Sequence, residues 1–225
     1  MSERVRVALT GATGLVGREI VRAAEAEQEV ALTAIARREP DWLADADIQT
    51  FICDPVGWVD ALAEARPEVL ICALSTTWRK AGRDERAFRA VDYELVVSSA
   101  AAAERVGAVR AVVVSAVEAS PISRSFYLRV KGEMERDLAA LDWQRLDILR
   151  PGLLRGEREA DRRLLEGVAA ALSPLTDRVL HGGLRRYRSV SASVVARAAL
   201  HFAKAGEGGV RVHQHDAMRH AAREG

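Results

Sequence analysis

Apolar residues in this chain follow two alternating patterns that begin close to the N-terminus. Short apolar segments are typical of buried strands, whereas longer stretches with apolar residues at helical spacing are typical of amphipathic helices. The strand-like segments cover residues 5–9, 30–36, 47–53, 68–73, 110–114 and 144–149, with residues 210–213 as a candidate seventh strand. The helical stretches cover residues 18–24, 56–65, 84–106, 157–172 and 193–204, and a further helix contains residues 127–131.

This alternation of strands and helices predicts an α/β protein with a doubly wound parallel sheet of the Rossmann type. We expect the strand order 3-2-1-4-5-6, with the candidate seventh strand beyond it. A chain of 225 residues suits one domain spanning residues 1–225. Within it, residues 153–225 are expected to contribute a small lobe over the ligand-binding side of the sheet.

A glycine-rich turn joins the first predicted strand to the first predicted helix. Gly11, Gly14 and Gly17 follow the spacing G-x-x-G-x-x-G, a variant of the usual dinucleotide fingerprint. Unpaired N–H groups and the helix dipole favour an anion at a helix start, and the glycines allow a tight turn, a close pyrophosphate and close helix packing. The alternative interpretation is that this segment is an ordinary tight turn that leads into a helix and binds no cofactor. The predicted cofactor contacts here are Gly11, Ala12, Thr13, Gly14, Leu15, Val16 and Gly17.

The end of the second predicted strand carries Arg37 and Arg38 where an Asp or Glu would favour NAD. Arginine pairs with a 2′-phosphate, so we expect NADP(H) rather than NAD(H), although both residues also suit a solvated loop. Asp54 follows the third strand and suits either an adenine contact or a helix cap. The end of the fourth strand adds the predicted cofactor contacts Ala73, Leu74, Ser75 and Thr76.

A second group of residues carries candidate catalytic chemistry. Tyr127 and Lys131 are spaced i and i+4, which puts them on one face of a helix, and Ser115 ends the fifth strand. Transfer of a hydride to a carbonyl needs a proton donor, and a nearby cation is expected to lower the pKa of a tyrosine toward neutrality. We therefore predict Tyr127 as the acid/base, Lys131 as the residue that lowers its pKa, and Ser115 as the hydrogen-bond donor to the substrate oxygen.

Together, these motifs resemble the short-chain dehydrogenase/reductase superfamily of the extended or atypical type. The sequence is similar to the atypical branch that includes the Tat-interacting oxidoreductase and its bacterial relatives, over roughly residues 5–200. The segments that carry that similarity are residues 75–77, 80–82, 91–92, 126–133 and 149–154, and residues 127–133 are its most specific part. The resemblance implies a Rossmann fold, NADP(H) binding, a contact of Lys131 with the nicotinamide ribose, and Pro151 and Gly152 beside the nicotinamide.

Two residues depart from this superfamily's pattern. Ala116 stands where many relatives have a second serine, so Ser115 is expected to act alone. Asp92 stands where extended members often have Asn, which puts an Asn-dependent proton relay in doubt. The branch has few defined substrates, so the resemblance implies a small-molecule carbonyl or alcohol without naming it.

The balance of charged residues indicates which kinds of binding partner the protein is built for. The chain has 33 basic and 32 acidic residues, so no net field favours nucleic acid or an anionic membrane. Neither a secretory signal nor a membrane-spanning run is found, and we expect a cytoplasmic monomer or homodimer.

Cys53 and Cys72 are expected to be buried, reduced thiols rather than a disulfide or metal site. We predict no metal site, and surface positions for the C-terminal histidines His213, His215 and His220.

The sequence leaves more than one function open. An NADP-dependent reductase or dehydrogenase that uses Tyr127 is the first hypothesis. The second is a non-catalytic NADP(H)-binding sensor or protein-interaction module, and the third is an epimerase that uses bound cofactor. The loop containing Trp78, Arg79 and Lys80 and the basic cluster at residues 185–188 suit either ligand contact or exposure to solvent.

Overall fold

The computed structural model describes residues 4–155 and 182–224. Its main sheet has seven parallel strands in the order β3-β2-β1-β4-β5-β6-β9, so the predicted doubly wound Rossmann fold and strand order are confirmed. These strands are β1 (Val5–Thr10), β2 (Val30–Ala36), β3 (Gln49–Ile52), β4 (Val69–Cys72), β5 (Arg110–Val114), β6 (Arg145–Leu149) and β9 (Gly209–His213). Two short strands, β7 (Leu154–Arg155) and β8 (Val190–Ser191), pair in parallel outside this sheet.

Helices cover both faces of the sheet. They are α1 (Leu15–Ala24), α2 (Asp41–Ala44), α3 (Trp58–Ala65), α4 (Glu85–Arg89), α5 (Leu95–Arg105), α6 (Phe126–Ala139), α7 (Ala192–Lys204) and α8 (His215–Glu224). Short 3-10 helices cover Pro55–Gly57 and Gly182–Tyr187. None of the helices in the described ranges is long and apolar enough to cross a membrane.

The apolar core is divided into two layers by the sheet. Along β1, Val7 and Leu9 pack in the layer that contains α1 and α7, whereas Ala8 packs in the layer that contains α3 and α5. This alternation is the expected consequence of side chains pointing to opposite faces of a strand. Because both faces are covered, β4 is buried along its whole length, which explains why it appears in the sequence as a continuous apolar run.

The long predicted helix over residues 84–106 is interrupted by a π-helical segment, Ala90–Glu94, between α4 and α5. Its start is capped, because the Asp84 carboxylate accepts a hydrogen bond from the Ala87 N–H at 2.9 Å. π-Helical segments inside α-helices occur frequently at functional sites. This one carries the buried carboxylate of Asp92.

The C-terminal part of the chain contributes both to the main sheet, through the strand that we expected near residues 210–213, and to the carboxyl edge of that sheet. Strand β9 completes the main sheet, and α7 packs on the same core layer as α1. Helix α8 was not predicted. The helix predicted at residues 157–172 lies outside the described residues, so the small lobe is represented here only by the pair β7–β8 and the 3-10 helix Gly182–Tyr187.

Several surface and core assignments need correction. His215 is 2% exposed, and the His213 imidazole lies 2.7 Å from the Asp147 carboxylate and stacks on Phe202, so neither is a surface histidine. Only His220 has the predicted exposure. The described residues form no cluster able to hold a metal ion. Both cysteines are free thiols whose pKa is raised mainly by burial, but Cys53 is only half-buried because it follows the edge strand β3.

Gly17 illustrates how tightly the first helix packs on the glycine-rich turn. A Cβ at this position would lie 2.1 Å from the Gly11 carbonyl oxygen and 2.7 Å from the Ala12 Cα. We expect Gly17→Ala to destabilise the protein by about 1–3 kcal/mol, because backbone must move to admit the methyl group. Urea unfolding measures this loss. The matched control is Gly206→Ala, since a Cβ at Gly206 meets nothing within 4 Å, and an equal effect of both substitutions would contradict the packing argument.

Candidate active site

The candidate site is a groove made of three adjoining cavities at the carboxyl edge of the parallel sheet. The first cavity contains the glycine-rich turn and shares Ser75 and Thr76 with the second. The second shares Tyr127 and Leu154 with the third, which contains Ser115. The three cavities therefore adjoin one another, from the predicted cofactor site to the predicted catalytic residues. Ligands bind at this edge in open α/β sheets.

The turn at the start of α1 has the geometry of a phosphate cradle. Gly11 adopts a φ of +86°, and a Cβ there would lie 2.5 Å from the Ala73 carbonyl carbon, so only glycine fits without strain. The Gly14 N–H donates to the Gly11 carbonyl at 3.0 Å and closes the turn directly before α1. Gly11, Ala12, Thr13 and Gly14 line the first cavity, whereas Leu15, Val16 and Gly17 form the first turn of the helix behind it.

The cationic side chains of the first cavity face no opposing carboxylate in its lining. Arg37 and Arg38, two of the predicted cofactor contacts, line it together with Ala73 and Leu74, and Lys80 is an additional cation that the sequence did not assign. The described lining contains no Asp or Glu. Asp54 is not among the lining residues, and its side chain makes no capping hydrogen bond to the 3-10 helix that follows it. This end of the groove thus favours an anionic ligand.

Trp58 and Val91 also line the first cavity, and sequence reasoning missed both. Trp58 begins α3 and is 3% exposed, with its indole N–H donating to the Cys53 carbonyl at 3.1 Å. This bond fixes the ring beside β3. The sequence carries no signal for this role, because an apolar residue at a helix start is usually a core residue.

Ser115, Tyr127, Pro151 and Gly152 line the third cavity, which has a volume of about 290 Å³. Backbone hydrogen bonds hold its floor, since the Ser115 N–H donates to the Leu149 carbonyl at 2.7 Å. Ser115 is 5% exposed, and its hydroxyl has no hydrogen-bond partner among the described residues. A buried polar group without a partner is uncommon in folded proteins and costs free energy unless a ligand satisfies it.

Lys131 lies beneath Tyr127 and forms a buried ion pair with Asp92. The Lys131 Nζ is 2.8 Å from the Asp92 Oδ1, and the two side chains are 1% and 0% exposed. The Asp92 carboxylate also accepts hydrogen bonds from the Thr76 N–H at 2.7 Å and the Ser75 hydroxyl at 3.0 Å. The π-helical segment therefore connects α6, which carries Tyr127 and Lys131, to the loop after β4.

This ion pair bears on two sequence-based expectations about Lys131. The resemblance implies a contact with the nicotinamide ribose, whereas the ammonium is buried against Asp92 and does not line the three cavities. Lys131 was also expected to lower the pKa of Tyr127 toward neutrality. Lys131 does lower this pKa, but desolvation of the phenol is the larger effect and, with the Asp92 carboxylate, holds the pKa above its ordinary value.

Comparison with known proteins identifies the family. A family model described as HIM1 matches residues 62–181. The Candida albicans protein "FMP52, mitochondrial" is 34% identical over 206 residues, which cover 89% of each chain. The chain belongs to the FMP52 family. The Aspergillus fumigatus protein "fmp52, mitochondrial" is 35% identical over 207 residues, which cover 86% of this chain and 85% of that protein.

The names of these FMP52 relatives contradict the cytoplasmic location that we predicted, because they describe mitochondrial proteins. The prediction rested on the lack of a secretory signal and a membrane-spanning run. Neither feature distinguishes the cytosol from the interior of an organelle.

Solved structures share the fold of this FMP52-family chain at low sequence identity. MoeE5 in complex with UDP-glucose and NAD has a TM-score of 0.68 and 18% identity, with 92% of this chain and 74% of MoeE5 covered. The UDP-N-acetylglucosamine 4-epimerase of Methanobrevibacter ruminantium has a TM-score of 0.69 and 12% identity, with 95% and 77% covered. These likenesses support the Rossmann fold, and the predicted atypical branch of the superfamily remains a prediction.

Proposed function

We propose that this FMP52-family protein is an NADP(H)-dependent reductase of the short-chain dehydrogenase/reductase type that acts on a small carbonyl compound. The observation that carries the proposal is the unpartnered hydroxyl of Ser115, which shares a cavity with Tyr127 at the end of the glycine-lined groove. A hydroxyl that is buried without a partner suits a ligand oxygen that accepts its hydrogen bond.

The residues present fit a dinucleotide along the groove. The Gly11 cradle and the start of α1 suit its diphosphate, and Arg37 and Arg38 suit a 2′-phosphate at the end of β2. Pro151 and Gly152, in the cavity of Ser115 and Tyr127, suit the nicotinamide end. When bound there, NADP(H) supplies the hydride for the carbonyl carbon.

The protein's own residues would handle the oxygen of the substrate. Ser115 donates a hydrogen bond to the carbonyl oxygen and orients it toward Tyr127. Tyr127 donates its hydroxyl proton to the same oxygen as negative charge develops, which yields the alcohol. Because burial and Asp92 raise the pKa of Tyr127, the residue stays protonated at neutral pH.

The cofactor preference has a direct test. We expect Arg37→Ala and Arg38→Ala each to weaken NADPH binding by about 10-fold or more, because a charge-assisted hydrogen bond contributes about 1.5–3 kcal/mol. NADH affinity should stay unchanged, since NADH lacks the 2′-phosphate. Titration calorimetry measures both constants.

Arg105→Ala is the matched control, because Arg105 is exposed in the last turn of α5, at the opposite edge of the sheet. Equal loss of NADPH and NADH affinity in the arginine variants would contradict the 2′-phosphate assignment. Tight NADPH binding without turnover on any carbonyl compound would favour the non-catalytic sensor over the reductase.

A further inference from the structure

Four of the ten residues that line the middle cavity of the groove are aromatic, and Ser75, Thr76, Thr77 and Ser125 add hydroxyl groups. It has a volume of about 470 Å³ and lies between the dinucleotide end of the groove and the cavity of Ser115. Its walls include Trp78, Phe88, Phe126 and Tyr127. This volume is within the range of small-molecule sites, which are typically apolar with a few polar groups.

The rings form one connected cluster around Phe88 and Phe126. The ring centroids of Phe88 and Phe126 are 5.8 Å apart, and Trp78 lies 5.7 Å from Phe126. Tyr127 lies 5.8 Å from Phe88. All of these pairs are edge-to-face, with interplanar angles of 62° to 66°. Trp78 is 43% exposed although it belongs to this cluster, so part of its ring is open to a ligand.

The charges in the lining argue against an anionic ligand in this cavity. Glu85 is its one charged lining residue within the described part of the chain, and no cation accompanies it there. The cations of the groove, Arg37, Arg38 and Lys80, line the separate dinucleotide end. A second diphosphate or a carboxylate in the middle cavity would face Glu85 without a counter-charge, which is unfavourable.

We propose that the middle cavity binds an uncharged aromatic ring, and that the substrate is an aromatic aldehyde or ketone whose carbonyl reaches Tyr127. The assignment of a carbonyl substrate rests on the proposed function, whereas the selectivity for an aromatic ring rests on this cavity alone. Trp78 is the specificity-determining residue, because it combines an exposed ring with contacts to the cluster. Edge-to-face and stacked rings attract each other beyond their buried area, which favours an aromatic over a saturated ring.

Binding without cofactor tests the ring selectivity separately from catalysis. The probes are 2-naphthalenemethanol, its saturated decahydro analogue and the anionic 2-naphthoate, each titrated by calorimetry into the full chain. We expect the aromatic alcohol to bind more tightly than both others. Trp78→Leu should weaken its binding by about 2- to 12-fold more than it weakens binding of the saturated analogue, because only the aromatic ring loses an aromatic contact in addition to apolar area.

Two further variants sharpen this test. Glu85→Gln should leave 2-naphthalenemethanol binding unchanged and improve 2-naphthoate binding. Trp42→Leu is the control for loss of an indole, because Trp42 lies in α2 and lines none of the three cavities. Equal affinity for the aromatic and saturated alcohols, or a loss in Trp42→Leu equal to that in Trp78→Leu, would overturn the proposal.

Binding of the cofactor is measured independently of binding of the aromatic ring. NADPH affinity is measured on the same samples, so a protein that binds NADPH but shows no ring selectivity overturns this inference and leaves the proposed reductase standing. Conversely, ring selectivity in a protein that does not bind NADPH supports the aromatic site and overturns the proposed reductase.

Discussion

Replacing Tyr127 by Phe is expected to reduce NADPH-dependent carbonyl reduction by about 10²- to 10⁴-fold, the usual contribution of a positioned general acid. The substitution removes only the hydroxyl, so the ring contact with Phe88 and the wall of the middle cavity are kept. NADPH affinity should therefore remain close to that of the unaltered protein. The measurement is the initial rate of nicotinamide absorbance loss with a panel of aromatic aldehydes.

Tyr187→Phe is the matched control for this experiment. Tyr187 lines the same cavity as Ser115 and Tyr127, and it also carries a phenol. It lies in the 3-10 helix Gly182–Tyr187 and has no lysine partner in the structure as described. A full rate in Tyr127→Phe, or an equal loss in both variants, would remove Tyr127 from its catalytic role.

The fold was predictable because its signals are local. Strands β2 and β5 were predicted with the bounds that they have, since each is a compact apolar run between polar or glycine-containing turns. The glycine-rich turn was predictable for the same reason, because its chemistry lies within one short segment. Spacing along a single helix likewise placed Tyr127 and Lys131 on one face.

The parts that were missed depend on contacts between distant segments. Asp92 sits in an apparently continuous helix, and only the fold brings its carboxylate to Lys131 and to the loop after β4. Burial of His213 depends on its pairing with Asp147 from the neighbouring strand. Lys80 and Trp58 likewise reach the groove through the packing of separate elements. Hydrophobic periodicity and secondary-structure propensity carry no information about contacts between residues that are distant in the sequence.

The second large effect is expected at the buried pair of Asp92 and Lys131. Asp92→Asn and Lys131→Met should each lower the free energy of unfolding by about 3–5 kcal/mol, because each leaves an uncompensated charge in the core. The double variant should lose clearly less than the sum of the two, since no charge remains buried. Urea unfolding of all four proteins at neutral pH measures this coupling.

Neutral pH is the right condition for that measurement because of the direction in which the pKa of Lys131 is shifted. Although burial lowers the pKa of Lys131, Asp92 and Tyr127 together raise it above its ordinary value of 10.5. A raised lysine pKa contributes stability that is fully present below that ordinary value and is lost only as pH rises through the folded-state pKa. Neutral pH therefore reports the whole contribution of the pair. Glu19→Gln, which removes the exposed pair with Arg22, is the control and should cost less than about 1 kcal/mol.

A second measurement distinguishes a positioning role of Asp92 from a purely structural one. The Asp92 carboxylate raises the pKa of Tyr127, and Lys131 lowers it. In Asp92→Asn the opposing charge is gone, so the pKa of Tyr127 should fall. The alkaline decline of the reduction rate should then begin at a lower pH than in the unaltered protein, because the phenol loses its proton sooner. A folded Asp92→Asn protein with an unchanged pH profile would show that the Asp92 carboxylate does not set the pKa of Tyr127, and additive losses of stability in the double variant would show that Asp92 and Lys131 are not coupled.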